Sequence, residues 1–218
     1  MKRDHPGRWR IAMIVTDYTP EDLKKLPLRA IVALSVRCAR RVEQEACLPD
    51  DHPEKERCRT AVANAIGLAE DFAKSLPCSS LESVVREVEA CRAVAEGEFV
   101  RGIVMAAVVQ AAHAAAAALH ALGLRGEPEG GQPFGAAKPN PFPHLADLTA
   151  DLAARDAFTA AVEAAAAIGH TDQFMKGAIE DYEKLLRLDL GSYPQAGNPI
   201  DPSSKGPLGP LGPSESIW

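Results

Sequence analysis

The sequence predicts an all-α fold: a single-domain bundle of about five to six helices, followed by an extended Pro/Gly-rich C-terminal tail. Three observations carry this. The stretch 98–122, EFVRGIVMAAVVQAAHAAAAALHAL, is apolar almost all the way round, which marks a helix enclosed on most sides. On either side of it, apolar residues recur at three- and four-residue spacing between proline and glycine stops. No stretch alternates apolar and polar residues well enough to name a strand, and no repeat of fixed period is present.

In chain order, residues 1–18 form an N-terminal extension, and the bundle is expected to span 19–191. In the extension Ile11, Met13 and Val15 alternate with Ala12, Ile14 and Thr16 too loosely for a strand. The apolar run 11–15 is also too short for the core of a secretory signal. Thr19-Pro20-Glu21-Asp22 starts a helix: a threonine cap, proline at the first helical position, then acids at the positive end of the dipole. Pro27 marks a second start. From there Ile31, Leu34, Ser35, Cys38 and Val42 make the inward stripe, with Arg29, Arg37, Arg40 and Arg41 outside it.

A loop at 49–53 precedes the stripe Val62, Ile66, Ala69, Phe72 and Leu76, which Pro77 ends. Ser79 and Glu82 then form a capping box ahead of Leu81, Val84, Val85, Val88 and Cys91. Gly97 separates that helix from 98–122, which is expected to be the most buried element. Residues 123–143, rich in Gly and Pro, read as a long surface connection. Leu145, Leu148, Leu152, Phe158, Val162 and Ala165 give the next inward stripe, ended by Gly169. Thr171 caps the last helix, whose stripe is Phe174, Ala178, Tyr182 and Leu185; Gly191 ends it. Residues 192–218 are the extended tail.

The chain has 218 residues, enough for one domain with a substantial core, and only 5% of them are aromatic, so that core is aliphatic. A net charge of −6 argues against broad nucleic-acid binding and against an anionic membrane surface. The stretch 98–122 is long enough to suggest a membrane span. However, Arg101, Gln110, His113 and His120 interrupt it and alanine inserts weakly, so a membrane span is not expected. Five cysteines, odd in number and without a C-x-x-C pair, signal neither a disulfide framework nor a zinc site. A reduced, cytoplasmic protein is expected.

Chemistry is sparse. Gln110, His113 and His120 are polar on an apolar helix, so they are the candidate ligand-binding residues. At 100° per residue the two histidines share a face, but they stand about 10.5 Å apart along the axis. Metal pairs on one helix sit three or four apart, so no metal is expected, and no cofactor. No histidine has a glutamate three residues before it, and no phosphate-binding or nucleophile-elbow motif is present. Glu180, Asp181 and Glu183 form an acidic cluster, and Arg37, Arg40 and Arg41 a basic one. Each is either a solvated face or complementary charge for a protein partner or a second copy of the chain. In the tail, Pro207, Leu208, Pro210, Leu211 and Trp218 are candidate partner-binding residues. Prolines three apart would line one edge of a polyproline helix and the leucines another. Together these point to a non-catalytic cytoplasmic helical interaction or regulatory module. The alternatives are a small-ligand-binding protein or enzyme at Gln110, His113 and His120, or a subunit of a larger assembly.

Overall fold

A computed structural model of the chain describes residues 19–46, 48–78, 81–95, 99–125, 143–168 and 171–211. Among these residues the fold is a helical bundle without a strand. Its helices are α1 (Pro20–Leu23), α2 (Leu28–Val42), α3 (Lys55–Ala73), α4 (Leu81–Ala95), α5 (Phe99–Arg125), α6 (Pro143–Ile168) and α7 (Thr171–Arg187), with a 3-10 turn, Glu43–Ala46, after α2. Among the described residues these are seven α-helices where about five to six were expected, the first of them, α1, a single turn. Its start is built as expected: the Thr19 amide and hydroxyl donate to Asp22 Oδ2 at 3.0 and 2.8 Å. The expected signals at Ser79, Gly97 and Gly169, and residues 126–142 of the connection expected over 123–143, lie outside the described residues; 123–125 instead continue α5 and Pro143 opens α6.

The most enclosed helix is α2, not α5. Twelve of the 15 residues of α2 are buried, including Ser35 and Arg37. It packs against α3, α5, α6 and α7. Helix α5 is surrounded by α2, α3, α4 and α6, yet Gln110, His113, Ala116, Ala117 and Leu119 are only partly buried and His120 is exposed. The segment Gly102–Gly123 is long and apolar enough to cross a membrane; here most of it is covered by other helices.

The most extensive helix pair is α5 with α6. On α5 the buried residues Ala107, Ala111, Ala114, Ala118 and Ala121 follow a 4-3-4-3 spacing. On α6, Ala146, Ala150, Ala153, Ala157, Ala160 and Ala164 do the same. Such spacing keeps one narrow stripe facing a partner helix, and a methyl at every layer lets two backbones approach closely. This overturns the expected inward stripe of α6. Leu145, Leu148 and Leu152 are 46%, 61% and 46% exposed, because the alanine stripe occupies the inner face and turns the leucines outward. Phe158 and Val162 are half-buried, and only Ala165 of that set is fully enclosed. Leu76 is likewise exposed: α3 stops at Ala73 and Ser75 takes a left-handed backbone, so Leu76 is off the helical stripe. The stripes of α2 and α7 are buried as expected.

The tail, as far as Leu211, has neither helix nor strand and is packed on its own bundle. Ala196, Ile200 and Leu208 are core residues. The tail also completes helix ends. Gln195 and Ala196 carbonyls accept from the Leu28 and Arg29 amides at 2.9 and 3.0 Å, capping α2, and the Ile200 amide donates to Ala73 O at 2.9 Å at the end of α3. Glycine permits the close approach at two points. Gly197 has φ +78°, and an added Cβ would meet the Pro27 ring at 2.4 Å; at Gly206 it would meet Asp201 O at 1.9 Å.

Candidate functional site

Three places carry polar or apolar groups that the bundle alone does not account for. The first is the arginine seam between α2, α7 and the tail. Arg37 is fully buried, and all five of its N–H donors are used. Nε and Nη2 donate to the two oxygens of Asp181 at 2.6 and 3.0 Å. Nη1 donates to Pro202 O at 3.2 Å and Gly209 O at 2.9 Å, and Nη2 also to Pro210 O at 3.0 Å. Arg41 adds a 2.5 Å contact to Asp181 Oδ2 and donates to Leu211 O at 3.1 Å, with its guanidinium 5.9 Å from the centre of the Phe174 ring. Lys184 donates to Leu208 O at 3.0 Å. The reading of two solvated clusters is therefore corrected for Arg37 and Asp181, which are buried partners; Glu180 and Glu183 do stay exposed. Arg40 is half-buried and bridges to Glu70 of α3.

This seam also decides the tail's candidate residues. Leu208 is enclosed by its own bundle at 1% exposure, and the carbonyls of Pro210 and Leu211 are taken by Arg37 and Arg41. Pro207 and Pro210 are exposed. Trp218 lies outside the described residues.

The second place is the polar edge of α5. His113 Nε2 lies 2.9 Å from Glu89 Oε1 of α4. Asp156 of α6 is near enough for the imidazole to act on it: burial raises its carboxyl above the usual range, and His113 and Arg155 pull the other way. Glu89 and His113, from α4 and α5, thus form a carboxylate–imidazole pair in which the carboxylate can orient the ring. Gln110, one turn before His113, is half-buried and His120 is exposed; His113 is the one of the three for which a contact to a carboxylate of a neighbouring helix is described. Among the described residues no three His, Cys, Asp or Glu side chains are placed to hold a metal ion. The four described cysteines, Cys38, Cys58, Cys78 and Cys91, are free and buried. Burial pushes Cys38 up to about 11; burial and then the Cys58 thiol push Cys91 up to about 12.

The third place is the leucine stripe of α6. Leu145, Leu148 and Leu152 lie three and four residues apart and are each nearly half exposed or more. Single exposed leucines such as Leu76 and Leu186 are ordinary on a protein surface; three in a row on one helix face are not. One edge of the stripe is acidic. By 100° per residue, Asp151 sits about 60° from Leu148 and Asp147 about 100° from it. Asp151 accepts from the Tyr193 hydroxyl and pairs with Lys24 at 3.1 Å. The signal for both missed features was present: residues 30–39 are apolar except for Ser35 and Arg37, and the alanines of α6 have a stricter helical spacing than its leucines.

Comparison of the chain with protein-family models, curated proteins and solved structures returns no match.

Proposed function

We propose that the chain is a non-catalytic cytoplasmic helical interaction or regulatory module whose docking surface is the leucine stripe of α6. The observation that carries this reading is the inversion on α6, where alanines fill the inner face and three leucines stand in solvent. Burying a leucine is worth about 1.5–3 kcal/mol, so three half-exposed ones hold on the order of 3 kcal/mol for whatever covers them. A helix laid along this face would engage anchors at i, i+3 and i+7, the spacing used when amphipathic helices dock. The same surface would seat the chain in a larger assembly. The free, buried cysteines support a reducing compartment.

In the tail the bundle itself takes up Leu208, while Pro207 and Pro210 stay exposed. A second reading, a small-ligand or proton-transfer site, is supported by the Glu89–His113 pairing beside Gln110 and Asp156.

The test is capture from source-cell lysate with wild-type bait and with Leu148→Glu/Leu152→Glu bait, followed by reconstitution with the purified candidate. The expected result is a partner held by wild type and lost by the variant at unchanged helicity. Capture insensitive to both substitutions would remove the α6 surface from the proposal.

A further inference from the structure

Two of the buried thiols meet. Cys58 on α3 and Cys91 on α4 are both core residues. The two helices pack against each other, and the thiols are within hydrogen-bonding reach across that interface. Neither is joined in a disulfide. Ala61, one turn on from Cys58, and Ala95, one turn on from Cys91, are buried as well. Such small side chains let two helices come close.

The pair lies just below solvent. Arg57 precedes Cys58, and Glu87 stands one turn before Cys91. Arg57 Nε donates to Glu87 Oε1 at 2.6 Å, and both side chains are about half exposed. The guanidinium is near enough to act on the Cys91 thiol. Burial, and then Cys58, push that thiol up to about 12, and Arg57 pulls the other way. A small neutral oxidant thus has an exposed ion pair to pass, and the cation it passes favours the reactive thiolate. The product suits the site too. A disulfide carries no charge, so an apolar interior does not oppose it.

The place in the fold gives a crosslink its consequence. Helix α4 lies against α3 and α5, whereas α5 has four helices around it. A bond between Cys58 and Cys91 would tie this outer helix to its neighbour.

We infer that Cys58 and Cys91 are a peroxide-responsive dithiol whose oxidation locks α4 onto α3. One thiol, as its thiolate, attacks a peroxide oxygen; it becomes a sulfenic acid and one water leaves. The second thiol attacks that sulfur and expels a second water. Two thiols and one hydrogen peroxide become one disulfide and two waters; the sulfurs give up two electrons, and the thiol protons end in the water. A reducing thiol reverses the bond. In a reducing compartment such a bond is transient, which suits a sensor rather than a scaffold.

The test uses the full-length protein. It is treated with hydrogen peroxide, quenched with catalase, unfolded in an alkylating agent and mapped without reduction. The expected map shows one intramolecular disulfide, Cys58–Cys91, with the five alkylatable thiols falling to three and returning to five in dithiothreitol. Oxidation should slow amide exchange along α4 several-fold and raise the melting temperature by several degrees. Cys58→Ala and Cys91→Ala should each abolish these changes, and Cys78→Ala should keep them. The wild-type map decides the pairing without any variant. Five thiols that survive peroxide overturn the inference. So does sulfinic or sulfonic acid at either cysteine without the crosslink, or a disulfide to any other cysteine. A Cys58–Cys91 bond that leaves both α4 exchange and the melt unchanged overturns the lock.

Discussion

The arginine seam and the alanine seam obey opposite rules of thumb and the same physics. Between α2, α7 and the tail, a charged guanidinium is fully enclosed because five acceptors meet its five donors. Between α5 and α6, the smallest apolar side chains are enclosed and the leucines of the same helix are left outside. What a side chain is does not by itself decide where it goes. A charge can be buried when its partners are supplied. A leucine is left out when burying it would force apart two backbones that alanine lets close.

The sharpest way to break the comparison is to remove the tail. Deletion after Gly191 takes away Ile200 and Leu208 from the core, the carbonyl caps of α2 and three acceptors of Arg37. A loss of about 4 kcal/mol or more is expected, read as a collapse of the urea midpoint. An unchanged midpoint would mean the tail adds nothing to the bundle.

Next comes the charge itself. Asp181→Ala leaves Arg37 enclosed with only neutral acceptors, and should cost about 3–5 kcal/mol in chemical unfolding. Replacing the pair together, Arg37→Met with Asp181→Leu, should not restore the parent. The carbonyls of Pro202, Gly209 and Pro210 would still lose their donors. Full restoration would show that the tail is indifferent to Arg37.

The alanine seam is tested by a contrast of sizes. Ala118, fully buried in the α5 stripe, should not accept leucine: Ala118→Leu overpacks at a cost of about 1–3 kcal/mol in a thermal melt. Leu148→Ala, on the outer face of α6, should change the melt by less than about 0.5 kcal/mol. Reversed magnitudes would mean that α6 presents its leucines inward.

The smallest effect concerns Asp156, beside the seam. Burial raises its folded carboxyl pKa, so the fold favours the neutral acid. That contribution is present below the unfolded pKa and is lost as pH rises through the folded one. Asp156→Asn should therefore raise the melting temperature at pH 7, with a gain that shrinks toward pH 4. Asp22 and Asp201 have the opposite sign. Hydrogen bonds, chiefly from Lys25 and from the Ser203 amide respectively, hold them below the usual carboxylate range. Their contribution is present at neutral pH and lost on acidification.

The sequence by itself determined the helical class, the starts at Thr19 and Pro27, and the buried stripes of α2 and α7. Helix caps and 3.6-residue periodicity are local, and each can be read within a few turns. It also determined that the tail would be irregular, because its prolines and glycines cannot sustain a helix or a ladder. Only the tertiary structure decided that Arg37 and Asp181, 144 residues apart, would meet inside the protein. No local rule says which carboxylate and which carbonyls will arrive at a guanidinium. It likewise decided that α6 turns its alanines inward and that His113 meets Glu89 of a neighbouring helix. Periodicity shows that a helix has an inner face; which of two competing stripes becomes that face depends on how closely the neighbouring helix can approach.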